Sequence, residues 1–316
     1  MTIYDKETAS YIWRNGDLVK WEDALIHVNS VGHASVAGIF EGVKAYWNDG
    51  NAELYIFRLD EHLDRFISSI KMVRYGFHHS KSDLREAIIE LLKANEYKRD
   101  IYIRPYVFQA GIVRELLQPV PGKPTELIID CWPFSSYGAP ETTLDVCVSS
   151  WARISDNVLP PRLKCFSNYH NGRLAAMDAT VGGYDWPILL DSNGKVTEGP
   201  GACLAMVRDG CVVTPPVTSG ILESITRKTI IELVVADLGL PMQERVIDRT
   251  ELYLADEIFF LGTGWEIMPV ASVDHLPVEA PAPGPVTTQI HNRYKEVVRN
   301  GHPMHPEWRT PVWRRL

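Results

Sequence analysis

The chain has 316 residues, enough for one or two domains with a sizeable core. Its composition is ordinary for a soluble globular protein, and the formal net charge of −8 argues against nucleic-acid partners, with no basic cluster to reverse that. No apolar run reaches membrane-spanning length, Met1 to Lys6 carry no charged-then-apolar leader, and the five cysteines lack a CxxC pair, so a reducing, cytoplasmic setting is expected.

From the N-terminus, Asn15-Gly16 is a hairpin signal between Tyr11-Ile12-Trp13 and Leu18-Val19-Lys20-Trp21. Ile39 to Tyr46 reads as one strand, answered across the turn Asn48-Asp49-Gly50 by Ala52 to Phe57. A helical period follows over 59–76, with Leu59, Leu63, Phe66, Ile67 and Ile70 on one face and Gly76 as its stop. Ser82 is the expected N-cap of a second helix, and strands are expected near 101–109 and 126–132. His78 and His79 lack metal-ligand spacing and read as surface residues; no metal site is expected.

The small, proline-containing stretch from Pro133 to Thr143 reads as a connection. The expected organisation is therefore a domain over 1–132, a loop over 133–143 and a strand-rich domain over 144–316, together an α+β fold. In the second domain Ser224 opens an apolar-periodic helix that stops at Gly239-Leu240-Pro241. A last helix is expected near 288–299.

Four segments carry chemistry. Arg162-Leu163-Lys164-Cys165-Phe166-Ser167-Asn168-Tyr169 places one lysine among apolar and neutral residues. A buried lysine loses the hydration of its ammonium form, and its neutral amine attacks carbonyl carbon. Glu198-Gly199-Pro200-Gly201 sets an acid beside glycines that admit close backbone approach. Leu222-Glu223-Ser224-Ile225-Thr226-Arg227 opens a helix whose first N–H groups lack helical acceptors. Gly262-Thr263-Gly264-Trp265 is a small-residue loop after a strand. An amine, a carboxylate, a helix N-terminus and a hydroxyl-bearing loop suit a phosphorylated aldehyde cofactor with a ring nitrogen. Lys195 is the competing amine, but it lies in the Asn193-Gly194 turn and reads as solvated.

In this order the segments resemble the fold-type IV (class IV) pyridoxal-phosphate aminotransferases, and among them are most similar to the branched-chain amino acid aminotransferases. The likeness also takes in Trp13-Arg14-Asn15-Gly16, Phe40-Glu41-Gly42, Phe57-Arg58-Leu59-Asp60-Glu61-His62, Tyr102-Ile103-Arg104-Pro105 and Leu252 to Glu257. The resemblance implies a small α/β domain, a larger strand-rich pseudo-barrel domain and at least a homodimer. It implies pyridoxal 5'-phosphate, with Lys164 as the catalytic amine. The cofactor-binding set would be Arg58, Lys164, Tyr169, Glu198, Leu222, Ile225, Thr226 and Thr263. Substrate would meet Phe40, Gly42, Lys44, Tyr102, Arg104, Trp132, Gly264 and Trp265. Arg104 would hold a carboxylate or, in the plainer reading, form a salt bridge within its own domain.

The sequence departs from the family at Ser35 and Lys44, where tyrosine and arginine are usual. Ala202-Cys203 replaces Glu-Asn, and Trp265 replaces a small residue. The expected reaction moves an amino group from a hydrophobic, branched-chain-like L-amino acid to a 2-oxo acid. The reshaped pocket keeps an (R)-selective amine transaminase, and behind it a lyase of the same fold, as alternatives.

Overall fold

The computed structural model describes residues 8–109, 122–137 and 142–314. The expected leader-free start at Met1 to Lys6 and positions 138–141 of the expected connection lie outside them. By internal contacts the chain divides into two compact units. One comprises Met1–Ser135, Lys164–Ser167 and Val297–Leu316; the other comprises Ser136–Leu163 and Asn168–Glu296. Lys164 and the C-terminal segment thus belong with the first unit, whereas the sequence alone suggests a single domain over 144–316.

The first unit is built on one sheet. Its strands are β1 (Tyr11–Arg14), β2 (Asp17–Lys20), β3 (Ile39–Phe40), β4 (Val43–Asn48), β5 (Glu53–Phe57), β6 (Ile101–Gln109) and β7 (Thr125–Pro133). The Asn15-Gly16 hairpin forms as expected, with Tyr11 opposite Lys20. The expected strand over 39–46 is instead broken at Glu41-Gly42, because the Glu41 side chain turns inward to bury against His62 and Arg65.

Helices α1 (Val31–Val36), α2 (Leu59–Met72) and α3 (Lys81–Asn95) complete this half of the chain. α2 carries Asp60 and Glu61 in its first turn and Lys71 in its last, the charge order a helix dipole favours. It ends at Met72 rather than at Gly76, with Arg74 in the left-handed region at φ 59°. Gly76 serves a close approach instead: a Cβ there would sit 2.3 Å from the Gly122 carbonyl oxygen. α3 begins earlier than Ser82 suggests. Ser80 is its N-cap, and Ser80 and Asp83 satisfy each other's backbone N–H in a capping box. α3 buries Leu84, Ile88, Leu91 and Leu92 and lies against β1 and β7.

The second unit holds a nine-stranded sheet. Its strands are β8 (Leu144–Ala152), β9 (Trp186–Leu190), β10 (Glu198–Gly199), β11 (Ala202–Arg208), β12 (Cys211–Thr214), β13 (Met242–Glu244), β14 (Glu257–Gly262), β15 (Glu266–Val273) and β16 (Leu276–Pro277). The order is β13-β12-β11-β14-β15-β8-β9, with β10 on β11 and β16 on β15. β11, β14 and β15 are buried over most of their length, and Leu204, Met206, Ile258, Phe260, Met268 and Val270 form much of the core beneath them. Helix α4 (Phe166–Val181) follows the lysine segment, and α5 (Ile225–Ala236) follows Ser224. α6 (Pro285–Asn300) is longer than the expected 288–299 at its start, where the Glu257 carboxylate accepts the N–H groups of Val286 and Thr287. The chain closes with β17 (Arg309–Pro311), an edge strand on β5 of the first sheet.

Candidate active site

In the first unit, the lysine segment is pinned beside β3. The Phe40 N–H donates to the Lys164 carbonyl at 3.0 Å, and the Phe166 N–H donates to the Gly38 carbonyl at 3.0 Å. Lys164 is buried at 8 % exposure, and its Nζ lies 4.6 Å from the Phe40 ring centroid. Phe166 stacks on Phe40 with ring centroids 4.3 Å apart. The lysine is thus enclosed, with an aromatic ring beside its amine. Lys195 has the opposite setting: it is exposed and pairs with Asp248, whose carboxylate raises the lysine's pKa.

Next to Phe40, Glu41 is fully buried. Its Oε1 accepts from Arg65 Nε at 2.7 Å, and its Oε2 lies 2.8 Å from both Arg65 Nη2 and His62 Nδ1. Burial alone would raise the Glu41 pKa, but the Arg65 charge and the bonds from His62 and Arg65 outweigh it and hold it well below the usual range. Burial pushes His62 down, against the pull of Glu41. Both shifts have the same sign for stability. The unfolded chain takes up protons at His62 from about pH 6.5, and at Glu41 lower still, that the folded chain refuses. The stability is whole above the unfolded His value and falls as pH drops below it. The urea midpoint is expected to be flat from pH 8 to 7 and to decline from pH 6.5 to 5, with His62→Gln flattening that decline. A midpoint that rises over that interval would refute the linkage.

Gly42 follows Glu41, and a Cβ there would lie 1.8 Å from the Tyr102 hydroxyl, so a side chain at 42 would have to displace the Tyr102 ring. On β6 and β7, period-two alternation sets Tyr102, Arg104 and Tyr106 on one face, opposite Trp132, Asp130 and Ile128. Tyr102 and Trp132 pack at 5.0 Å between centroids. Arg104 donates to both Asp130 oxygens, at 3.2 and 2.6 Å, with its guanidinium 5.1 Å from the Trp132 ring. Burial pushes the Asp130 carboxyl up and Arg104 opposes that shift. The salt-bridge reading of Arg104 is thus what the geometry displays. Lys44 is buried, donates from Nζ to the Ser135 carbonyl and lies over the Tyr46 ring. Arg58, at the head of α2, is buried, bonds Glu61 Oε1 at 2.8 Å and stacks over Trp308 at 4.5 Å.

In the second unit, Glu198 is 4 % exposed on β10, opposite Cys203 of β11. Its Oε1 accepts from Arg153, at 3.0 Å from Nε and 2.9 Å from Nη2. Its Oε2 accepts from the Leu222 N–H at 3.2 Å and faces the Cys203 thiol at 3.7 Å. A carboxylate offers about four acceptor positions. Three are held by N–H donors and the last by a weak thiol contact, which a ring N–H could displace. Sequence reasoning misses Arg153: it stands 45 residues from Glu198 and no local pattern marks it. Cys203 stands out in the sequence only as a departure from the family; burial pushes its thiol pKa up and keeps it protonated.

Leu222 leads into α5, where Ser224 Oγ accepts from the Arg227 N–H at 3.2 Å. That cap leaves the N–H groups of Ile225 and Thr226 with no acceptor inside the helix. An anion such as a phosphate fits this end of the helix. Tyr169 is half-buried, its ring 3.3 Å from a Cβ placed on Gly201. Upstream, Asn168 Nδ2 closes the lysine-bearing turn by donating to the carbonyls of Pro160 and Leu163, at 2.9 and 2.8 Å. Thr263, Gly264 and Trp265 form the turn between β14 and β15. Trp265 packs on Trp186 at 4.9 Å and on Tyr137 at 5.1 Å, so the substituted position is a fixed aromatic wall. Among the described residues no group of three or more His, Cys, Asp or Glu could hold a metal ion.

An α+β chain with a buried lysine, a carboxylate held by arginine and a helix N-terminus open to phosphate has the parts of an enzyme that works on amines. The profile of the family described as "Amino-transferase class IV" matches residues 38–273, and the chain belongs to that family. A branched-chain-amino-acid aminotransferase of Salmonella typhimurium is 40 % identical over 289 residues, covering 90 % of this chain and 92 % of that protein. The crystal structure of the branched-chain amino acid aminotransferase from Thermobaculum terrenum in its PLP-form is 42 % identical, with a TM-score of 0.93, covering 98 % of this chain and 100 % of that one. The branched-chain aminotransferase from the archaeon Thermoproteus uzoniensis, solved with norvaline, is 36 % identical, with a TM-score of 0.89, covering 96 % of this chain and 100 % of that one.

Proposed function

We propose that this protein is a pyridoxal 5'-phosphate-dependent aminotransferase that takes the amino group of a branched-chain L-amino acid and passes it to a 2-oxo acid. The observation that carries the reading is Lys164, an amine enclosed against Phe40 in a chain of this family. The relatives' names and the PLP-form of the Thermobaculum terrenum enzyme support the substrate and the cofactor. Bound pyridoxal 5'-phosphate would supply an aldehyde carbon for amine exchange and a ring that accepts an electron pair.

The protein's residues would do the rest. Lys164 Nζ would take the proton removed from the donor's α-carbon and hold it for return two atoms along the chain of reacting atoms. Glu198, whose Oε1 accepts from Arg153, would hold a proton on the ring nitrogen. The N–H groups of Ile225 and Thr226 and the Thr263 hydroxyl hold phosphate, with Arg58 adding a cation. Tyr169 would bond the ring's phenolic oxygen, and Leu222 would pack on its face. Phe40, Gly42, Tyr102, Trp132 and Trp265 would bound the donor side chain, and Gly264 would offer its backbone. A homodimer and a cytoplasmic setting complete the reading. The five free cysteines suit a reducing compartment, and light scattering of the purified protein tests the dimer.

One observation favours the second reading, an (R)-selective amine transaminase. Both side-chain cations suggested for a substrate carboxylate, Arg104 and Lys44, already have partners in Asp130 and Ser135. A substrate carboxylate would have to share the Arg104 fork. Arg104→Ala is therefore expected to lower stability by about 1–3 kcal/mol, the cost of leaving Asp130 unpaired, while 2-oxoglutarate affinity changes little. Urea unfolding and half-reaction titrations measure the two effects; an affinity loss without a stability loss would restore Arg104 as the anchor. The donor itself is decided by half-reaction rates, read from cofactor absorbance, for leucine, valine, D-alanine and both enantiomers of 1-phenylethylamine. Leucine and valine are expected to react fastest, and a clear preference for the R amine would replace the first reading with the second.

A further inference from the structure

The C-terminal segment of the first unit lines a cavity of about 530 Å³, a volume typical of small-molecule sites. Pro303, Pro306 and Pro311 give it an apolar wall, Tyr55 an aromatic one, and Arg309 and Arg314 bring two guanidinium groups. Arg309 is half-buried and stacks on the Tyr55 ring, 4.0 Å from its centroid. Its Nη1 donates to the Arg299 carbonyl at 2.6 Å. Arg314 is exposed and donates from Nη2 to the Asn51 carbonyl at 3.0 Å.

Among the described residues no carboxylate pairs with either group. Arg299 makes the contrast, since Asp100 takes its guanidinium at 2.6 and 2.5 Å. Glu53 is buried and turns its oxygens to the backbone N–H groups of Leu54, Val312, Trp313 and Arg314, and it pairs with neither guanidinium. Burial pushes the Arg309 pKa down, with only the Tyr55 hydroxyl opposing. A cation taken partly out of water with no anion beside it is costly, and proteins normally pair such a group.

We propose that this cavity binds a phosphate monoester with an apolar body, its phosphate held by Arg309 and Arg314 and its body against the prolines and Tyr55. Two forks from separate residues suit a dianion with three acceptor oxygens better than a single carboxylate, which one fork satisfies. The site is independent of the residues assigned to transamination.

Calorimetric titration of the holoenzyme tests this, because the cofactor's own phosphate then fills the cofactor positions. Phenyl phosphate is expected to bind one saturable site per chain, at least about tenfold tighter than inorganic phosphate, as burial of its ring implies. Arg309→Gln and Arg314→Gln should each weaken it by about tenfold or more, the usual effect of losing a charge-assisted bond. Transamination of leucine should not change in either variant. Arg314 is exposed and gives up one carbonyl bond, so its variant keeps the test sound should Arg309→Gln fail to fold. Absence of saturable binding, equal affinity for the two probes, or binding indifferent to Arg314→Gln would each overturn the proposal.

Discussion

Lys164→Ala is expected to abolish transamination, lowering the half-reaction rate by at least about 10⁴-fold, the upper range for loss of a positioned proton-transfer group. The substitution removes the amine enclosed against Phe40. The fold should survive it. The segment is held by main-chain bonds from Phe40 and Phe166 and by the Phe40–Phe166 stack, none of which uses the ammonium group. Cofactor should still bind through its phosphate, so affinity and rate separate. Borohydride reduction of the wild-type holoenzyme, followed by peptide mapping, is expected to label the peptide bearing Lys164. A label on Lys195, exposed and paired with Asp248, would sink the assignment.

Much of this is legible in the sequence because local chemistry decides it. The Asn15-Gly16 hairpin, the strand over 101–109, the charges of α2 and the Ser224 cap each follow from a few neighbouring residues. The family motifs add the order of Lys164, Glu198 and Thr226. Most of what escapes is set by distant partners. The start of α3 is an exception: Ser80 rather than Ser82 caps it because Asp83 closes the box, and that signal is local. The break at Glu41-Gly42 needs His62 and Arg65, two residues on a different element. The grouping of Lys164–Ser167 with the first unit depends on pairing with 38–40, more than a hundred residues upstream. Arg104 shows the reverse case: its motif suggests a substrate anchor, while its cross-strand position already supplies Asp130.

Glu198→Gln is expected to slow removal of the donor's α-proton by about 10²–10⁴-fold while cofactor affinity changes far less. The substitution keeps the side chain's shape and one acceptor oxygen, but removes the charge proposed to hold a ring nitrogen protonated. It also leaves Arg153, 10 % exposed, facing a neutral amide. Part of the rate loss would then come from the uncompensated guanidinium, which repels a ring N–H⁺. The double variant Glu198→Gln with Arg153→Gln separates the two causes. If the missing negative charge governs the rate, the double variant is as slow as the single one. If the stranded arginine governs it, removing that charge recovers much of the loss. The first outcome is expected, because Arg153 approaches only Oε1 while the displaceable thiol contact is at Oε2. Stopped-flow single turnovers with leucine read both variants directly. Near-wild-type rates in Glu198→Gln would remove Glu198 from the chemistry and leave it, with Arg153, as a buried brace between β10 and the strand that precedes Arg153.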